Sequence, residues 1–246
     1  MLQEISTLRA GLSVPAKSPA TLATEPSLLT RGRRGVRALA EAIVPSALVV
    51  WRGPQSAAGA PGRIALTFDD GPTSLTRDYL AVLERFGARA TFFLVGELCA
   101  RHPELVAAIA RGGHEIAGHG YTHRRFPDLS LRNLRTELER TRLLLPPDGR
   151  QRSLVRPPHG AVSLGSTLTT ASAGFTTVLW SYDSGDWATE SATAVAERFV
   201  TQTPTDGEII LLHEGQTWTL DALPTILGTL REAGHEPVTT GELLGR

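Results

Sequence analysis

From residue 63 onward, short apolar runs alternate with longer amphipathic stretches, and that alternation leaves few folds open. Runs rich in β-branched and aromatic residues read as buried strands; segments with apolar residues three and four apart read as helices. Strands are expected at 64–68, 90–95, within HEIAGH (114–119), and at 153–156, 175–180, 208–213 and 236–239. Helices are expected at 75–86, ending at Gly87, and at 103–112, from Pro103 to the Gly112-Gly113 pair. A third spans 130–145, with Ser130 as N-cap and Pro146 past its end, followed by 163–173, 191–202 and 219–233. Strands alternating with helices in this way build a parallel α/β architecture. A distorted (β/α)7 barrel of the TIM-barrel type is expected rather than an open sheet. The conspicuous polar residues fall at the C-terminal ends of the strands, where barrel enzymes keep their chemistry.

The expected organisation is a catalytic domain over 63–246 preceded by an N-terminal segment, 1–62. Residues 1–30 are rich in Ser, Thr, Ala and Pro and read as a loosely ordered tail. Residues 38–51 (ALAEAIVPSALVVW) read as a short amphipathic helix and a strand, and 52–62 (RGPQSAAGAPG) as a linker. No stretch reaches the roughly 20 apolar residues that span a bilayer. Residues 31–37 (RGRRGVR) before that helix faintly resemble a twin-arginine export signal, but Glu41 and Pro45 interrupt the apolar run. A cytoplasmic location is therefore expected over export. With a formal net charge of zero and Lys17 as the only lysine, the chain carries no nucleic-acid footprint. No glycine-rich nucleotide-binding motif follows any strand. Cys99 is the only cysteine, which excludes an internal disulfide and a multi-cysteine zinc site; it reads as a buried structural thiol.

Five polar clusters mark the strand ends: Asp69-Asp70 within TFDDGP, His119 and His123 in HGYTH, Arg156 to Gly160 in RPPHG, Asp183 to Trp187 in DSGDW, and Leu211 to His213 in LLH. Two adjacent aspartates where a strand leaves the core repel one another, which suggests a nearby cation. Two histidines four residues apart lie on one face if their segment is helical and can then grip one metal ion. His, His and Asp form a good zinc ligand set that leaves positions open for water and substrate. One carboxylate would bind the metal and the other would stay free to accept a proton.

In this order, TFDDGP, HxxxH, RPPxG, DxxDW and LxH resemble the polysaccharide deacetylases of carbohydrate esterase family 4, over about residues 63–240. The resemblance implies hydrolysis of acetyl groups on glycans such as chitooligosaccharides, chitin, peptidoglycan or acetylxylan. It implies that Asp70, His119 and His123 hold the metal, usually Zn2+, with Co2+ or Ni2+ in some members. Asp69 would be the general base, kept ionised by Arg156. His213 would be the general acid, oriented and favoured in its protonated form by Asp186. Trp187 and Leu211 would line the pocket for the acetyl methyl. The backbone N–H of residue 159 would donate to the oxyanion. That position departs from the family's usual RPPYG, having His159 in place of tyrosine, which puts sugar contacts rather than catalysis in question.

Other residues carry less. His102, His114 and His235 read as solvated or capping histidines at element edges, and no role is assigned to Glu214. Trp218 reads equally as a sugar platform or as packing at a helix start. The expected partner is an acetylated glycan. O-deacetylation of xylan, hydrolysis of a non-sugar amide or imide, and a non-catalytic glycan-binding module remain alternatives, and oligomeric state is open.

Overall fold

The computed structural model describes residues 48–145 and 153–246. The tail, the amphipathic helix up to residue 47 and the arginine-rich 31–37 stretch lie outside the described residues. In chain order the main elements are β1 (Val49–Val50), β2 (Gly62–Gly71), α1 (Thr76–Phe86), β3 (Thr91–Leu94), α2 (Gly96–Arg101), α3 (Pro103–Arg111), β4 (Glu115–Gly118), α4 (Leu131–Arg142) and β5 (Ser153–Val155). They continue with α5 (Leu164–Ser172), β6 (Phe175–Val178), β7 (Tyr182–Asp183), α6 (Ala192–Thr201), β8 (Ile209–His213), α7 (Thr217–Glu232), β9 (His235–Val238) and α8 (Thr240–Leu243).

Every strand pairing is parallel, in the order β1-β6-β5-β4-β3-β2-β8-β7, with β9 paired to the first half of β2. The sheet curls into a distorted barrel with helices outside it, as expected. Strand β2 is central: Ala65 to Asp69 pair with β8, and Thr67 to Gly71 with β3.

Period-two alternation separates two layers. Ile64, Leu66, Phe68, Phe92, Leu94, Ile210 and Leu212 share a cluster with helix residues Tyr79, Leu83, Ile109, Phe199, Leu223 and Leu230. The intervening Ala65, Phe93, Ala117, Leu154, Val178, Ile209 and Val238 form a second cluster on the opposite face. Each fully buried large apolar side chain contributes roughly 1.5–3 kcal/mol. Continuing that second register to the strand ends gives Asp69, His119, Arg156 and His213, so the pleat that builds the core also aims the polar side chains.

Local signals act as expected at several boundaries. Ser130 Oγ accepts from the Asn133 N–H at the start of α4, and Ser191 does the same for Ala194 at α6. Gly87 ends α1 in the left-handed conformation, and Pro103 opens α3.

Three features differ from the sequence reading. Strand β1 falls in the 38–51 segment, where a strand was expected, but the short strand β7 was not, and α2 fills a stretch left unassigned. Residues 52–62, read as a linker, are tied to the turn before β8. Gly53 N–H donates to Gly207 O at 2.8 Å, and Ser56 N–H to Asp206 Oδ2 at 2.6 Å. His114 is buried rather than solvated, edge-on to Phe92, with Nδ1 accepting from the Ala90 N–H at 3.3 Å. Burial lowers its imidazole to about 4. Cys99 is buried as expected, its thiol pushed up to about 12 by that burial.

Candidate active site

Consecutive residues on a regular strand face opposite ways, which would send one of Asp69 and Asp70 toward the helix layer. The β2–β3 register shifts between Asp69 and Gly71, and Asp70 takes a positive φ of 73°. This bulge rotates Asp70 out of the alternation. Both carboxylates then stand at one centre: His119 Nε2 lies 3.8 Å from Asp69 Oδ2 and 3.4 Å from Asp70 Oδ1.

The two histidines are brought together by a loop and not by a helix. His119 follows the end of β4. Gly120 then turns at φ 74° and His123 at φ 56°. The turn at Gly120 favours a residue without Cβ. His123 Nε2 comes within 3.0 Å of Asp70 Oδ1, and the two imidazole centroids are 5.0 Å apart. The expected helical spacing therefore does not apply; a loop with positive φ at Gly120 and His123 brings the two rings together.

Asp70, His119 and His123 each offer one ligand atom, all within 4.8 Å of one another, and could hold a metal ion. Two observations fit a cation. Asp70 Oδ1 is buried without a hydrogen-bond partner among the described residues. His119 Nδ1 lies 2.8 Å from Arg156 O, which fixes Nδ1–H as the donor and leaves Nε2 facing Asp70. Burial alone would raise the Asp70 carboxyl, but the His119 and His123 rings beside it hold it well below the usual carboxylate range.

Arg156 is fully buried at the end of β5. Its Nη1 donates to Asp69 Oδ1 at 2.7 Å and to Thr67 Oγ1 at 2.8 Å, and Nη2 to Leu179 O at 3.1 Å. Its guanidinium lies over the Phe93 ring at 4.1 Å. Burial draws the guanidinium below its ordinary value, and the Asp69 charge opposes that.

His213 is beside Asp69 in the β2–β8 ladder. Its Nδ1 is 2.8 Å from Asp186 Oδ1, and its backbone N–H donates to Asp186 Oδ2 at 2.7 Å. Thr219 Oγ1 donates to the same Oδ2 at 2.9 Å. Burial would lower the imidazole, but the Asp186 hydrogen bond and charge push it up to about 9. An aspartate paired with an arginine and a histidine raised by a carboxylate could serve as a base and an acid.

The remaining expected residues sit around this centre. His159 follows β5 with φ 58°, its ring centroid 4.9 Å from that of His123. Trp187 is 45% exposed beside Asp186, with its Nε1 donating to Asp183 Oδ1 at 3.1 Å. Leu211 is buried two residues before His213 in β8. Trp218 is a packing residue: it is partly buried against the core, and Nε1 donates to Asp186 O at 2.9 Å.

Sequence reasoning missed the supports. Thr67 was legible as a polar residue at an inward position of a strand, and Thr219 was not, being joined to Asp186 only through the fold. Glu214, left without a role, is buried, and its Oε1 accepts from Thr73 N–H at 2.9 Å and from the Thr76 hydroxyl.

The profile of the polysaccharide deacetylase family matches residues 56–178. A peptidoglycan-N-acetylglucosamine deacetylase of Bacillus cereus is 33% identical over 212 residues, covering 84% of this chain and 97% of that protein. A chitooligosaccharide deacetylase of Sinorhizobium fredii is 37% identical over 66% of this chain and 76% of its own length. Other relatives are longer: the chain spans 39% of a Listeria monocytogenes peptidoglycan-N-acetylglucosamine deacetylase. Among solved structures, a family 4 carbohydrate esterase from Streptomyces lividans in complex with acetate superposes with a TM-score of 0.67 at 34% identity. That match covers 73% of this chain and 93% of the esterase.

Proposed function

This chain belongs to the polysaccharide deacetylase family, and from that premise we propose that it removes N-acetyl groups from N-acetylglucosamine-containing glycans, of peptidoglycan or chitooligosaccharide type, releasing acetate. The observation that carries the reading is the meeting of three elements at one end of the barrel. These are the Asp70–His119–His123 triad, the Asp69–Arg156 pair and the Asp186–His213 pair.

A divalent ion held by Asp70, His119 and His123, Zn2+ in our reading with Co2+ or Ni2+ as alternatives, would supply a water activated near neutral pH and a Lewis acid for the carbonyl. Asp69 would take up the proton of the attacking water, and Arg156 Nη1 holds that carboxylate in place at 2.7 Å. The His159 N–H donates to the oxyanion, a contribution of about 3 kcal/mol for such donors. His213 gives its proton to the amine nitrogen as the C–N bond breaks, and Asp186 holds the ring in place and stabilises its charged form. Trp187 and Leu211 line the pocket for the acetyl methyl.

The test is acetate release from chitooligosaccharides and peptidoglycan strands by metal-stripped protein, with Zn2+ or Co2+ restored, beside Asp69→Asn. Metal-dependent release that the variant loses supports the reading. Turnover of acetylxylan or of a non-sugar amide, with none of the N-acetylated glycans, would replace the substrate. Glycan binding without metal and without any turnover would replace the enzyme by a binding module.

A further inference from the structure

The loop that presents His119 and His123 is fastened from two sides. On one side, the first amides of α2 hold its carbonyls: Gly96 N–H donates to Gly120 O, and Glu97 N–H to Tyr121 O, both at 2.9 Å. On the other side stands a single side chain. Glu137, in the middle of α4, accepts from the Tyr121 N–H and the Thr122 N–H at Oε2, each at 2.9 Å, and from Thr122 Oγ1 at Oε1, also at 2.9 Å. All three bonds fall on the two residues between Gly120 and His123.

One turn further along α4, Arg140 lies over the Tyr121 ring at 3.5 Å. That ring rests against Gly96, where any Cβ would come within 2.5 Å of it. Helix α4 therefore grips the loop by carboxylate and by cation, and the opposite wall is a glycine that leaves room for the ring.

We propose that Glu137 is a positioning residue for the metal centre, acting through the Tyr121 and Thr122 amides and touching neither the ion nor the substrate. This rests on the metal reading of the triad. The backbone of this loop runs against helical or strand pairing, so its N–H groups need acceptors from elsewhere. Without Glu137 two donors lose their partners, and the segment that sets the distance from His123 to Asp70 loses its hold on α4. Residues that orient metal ligands from behind typically affect affinity ~10–100-fold.

Reach and charge make different demands, which gives the test its discrimination. In Glu137→Gln the amide oxygen still accepts both N–H groups and the amide nitrogen donates to Thr122 Oγ1, so the geometry survives without the charge. In Glu137→Asp the charge survives, but the carboxylate is withdrawn by one methylene. Co2+ affinity would be measured by chelator competition on metal-stripped protein, with the visible spectrum of the Co2+ form as a record of ligand geometry.

The expected result is Glu137→Gln within about threefold of the native protein, and Glu137→Asp and Glu137→Ala ~10–100-fold weaker with altered spectra. Equal affinities for native, Gln and Asp forms would overturn the proposal, as would loss in Gln with retention in Asp. If the Ala variant does not fold, the Gln and Asp pair decides alone. Failure of the native protein to bind Co2+ would sink the metal reading itself, a result distinct from equal affinities among the variants.

Discussion

Arg156 Nη1 lies 2.7 Å from Asp69 Oδ1, and the two side chains are 0% and 4% exposed. A charge pair this dry is maintained by its partners as much as by mutual attraction: Arg156 also serves Thr67 Oγ1 and Leu179 O. The pair sets an arginine charge against a carboxylate that has been taken out of water.

Replacing Arg156 by methionine should therefore do two things at once. It leaves Asp69 buried without its cation, expected to cost about 3–5 kcal/mol in a denaturant titration. The surviving folded fraction should lose acetate release, because the Asp69 carboxylate loses the donor that fixes its position at the centre. Retained stability together with retained turnover would show that the pair is dispensable.

The His213 imidazole, pushed up to about 9 through Asp186, dictates a pH profile. A general acid works while protonated, so kcat/KM should hold through neutral pH and fall with an alkaline limb near 9. Asp186→Asn removes the charge that raises it, and the limb should move down toward or below the ordinary histidine value of 6.5. The linkage to stability has the same sign. A raised folded-state value stabilises fully below 6.5, and the contribution is lost as pH rises through about 9. Native protein should thus lose denaturant resistance over that window more steeply than Asp186→Asn. An unmoved limb would remove His213 from the acid role.

Exhaustive chelation should abolish acetate release, with recovery on adding Zn2+ or Co2+. Because folded protein alone presents the assembled triad, ion at 100 times its dissociation constant should add about 2.7 kcal/mol of stability. The check is a pair of melts on stripped and reloaded protein. Full turnover after verified removal of metal would contradict the role assigned to Asp70, His119 and His123.

At position 159 the catalytic group proposed is the backbone, so the side chain should be replaceable. His159→Tyr should keep kcat within a few-fold while shifting KM among glycans. His159→Gly relieves a φ of 58° that costs a side-chain-bearing residue about 1 kcal/mol or more, and should also retain turnover. A fall of 100-fold or more in both variants would assign the chemistry to the imidazole.

The strands, most helices and the clusters at the strand ends were legible because each depends on local periodicity and on polar residues placed where an apolar run stops. What escaped the sequence depends on distance in the fold. The bulge at Asp70 puts a residue other than glycine at positive φ, and it shows only in the pairing with β3, where the register shifts between Asp69 and Gly71. The turn at 119–123 has the spacing of a helix, and Glu137, which holds it as a loop, lies 14 residues beyond His123. Strand β7 is two residues long, too short for any period to register.

The bulge at Asp70 also sets what kind of change this centre can absorb. Side-chain identity and reading frame are separate variables here. A substitution at Thr67 or Leu211 alters one contact, whereas inserting or deleting one residue in β2 ahead of Asp69 exchanges inside for outside along the rest of the strand. Asp69 would then face the helices, Asp70 would leave the histidines, and the pairing with β3 and β8 would be out of step on both edges. The chain can drift in residue type across this sheet far more freely than in length, and connections away from the ladder are where length can vary.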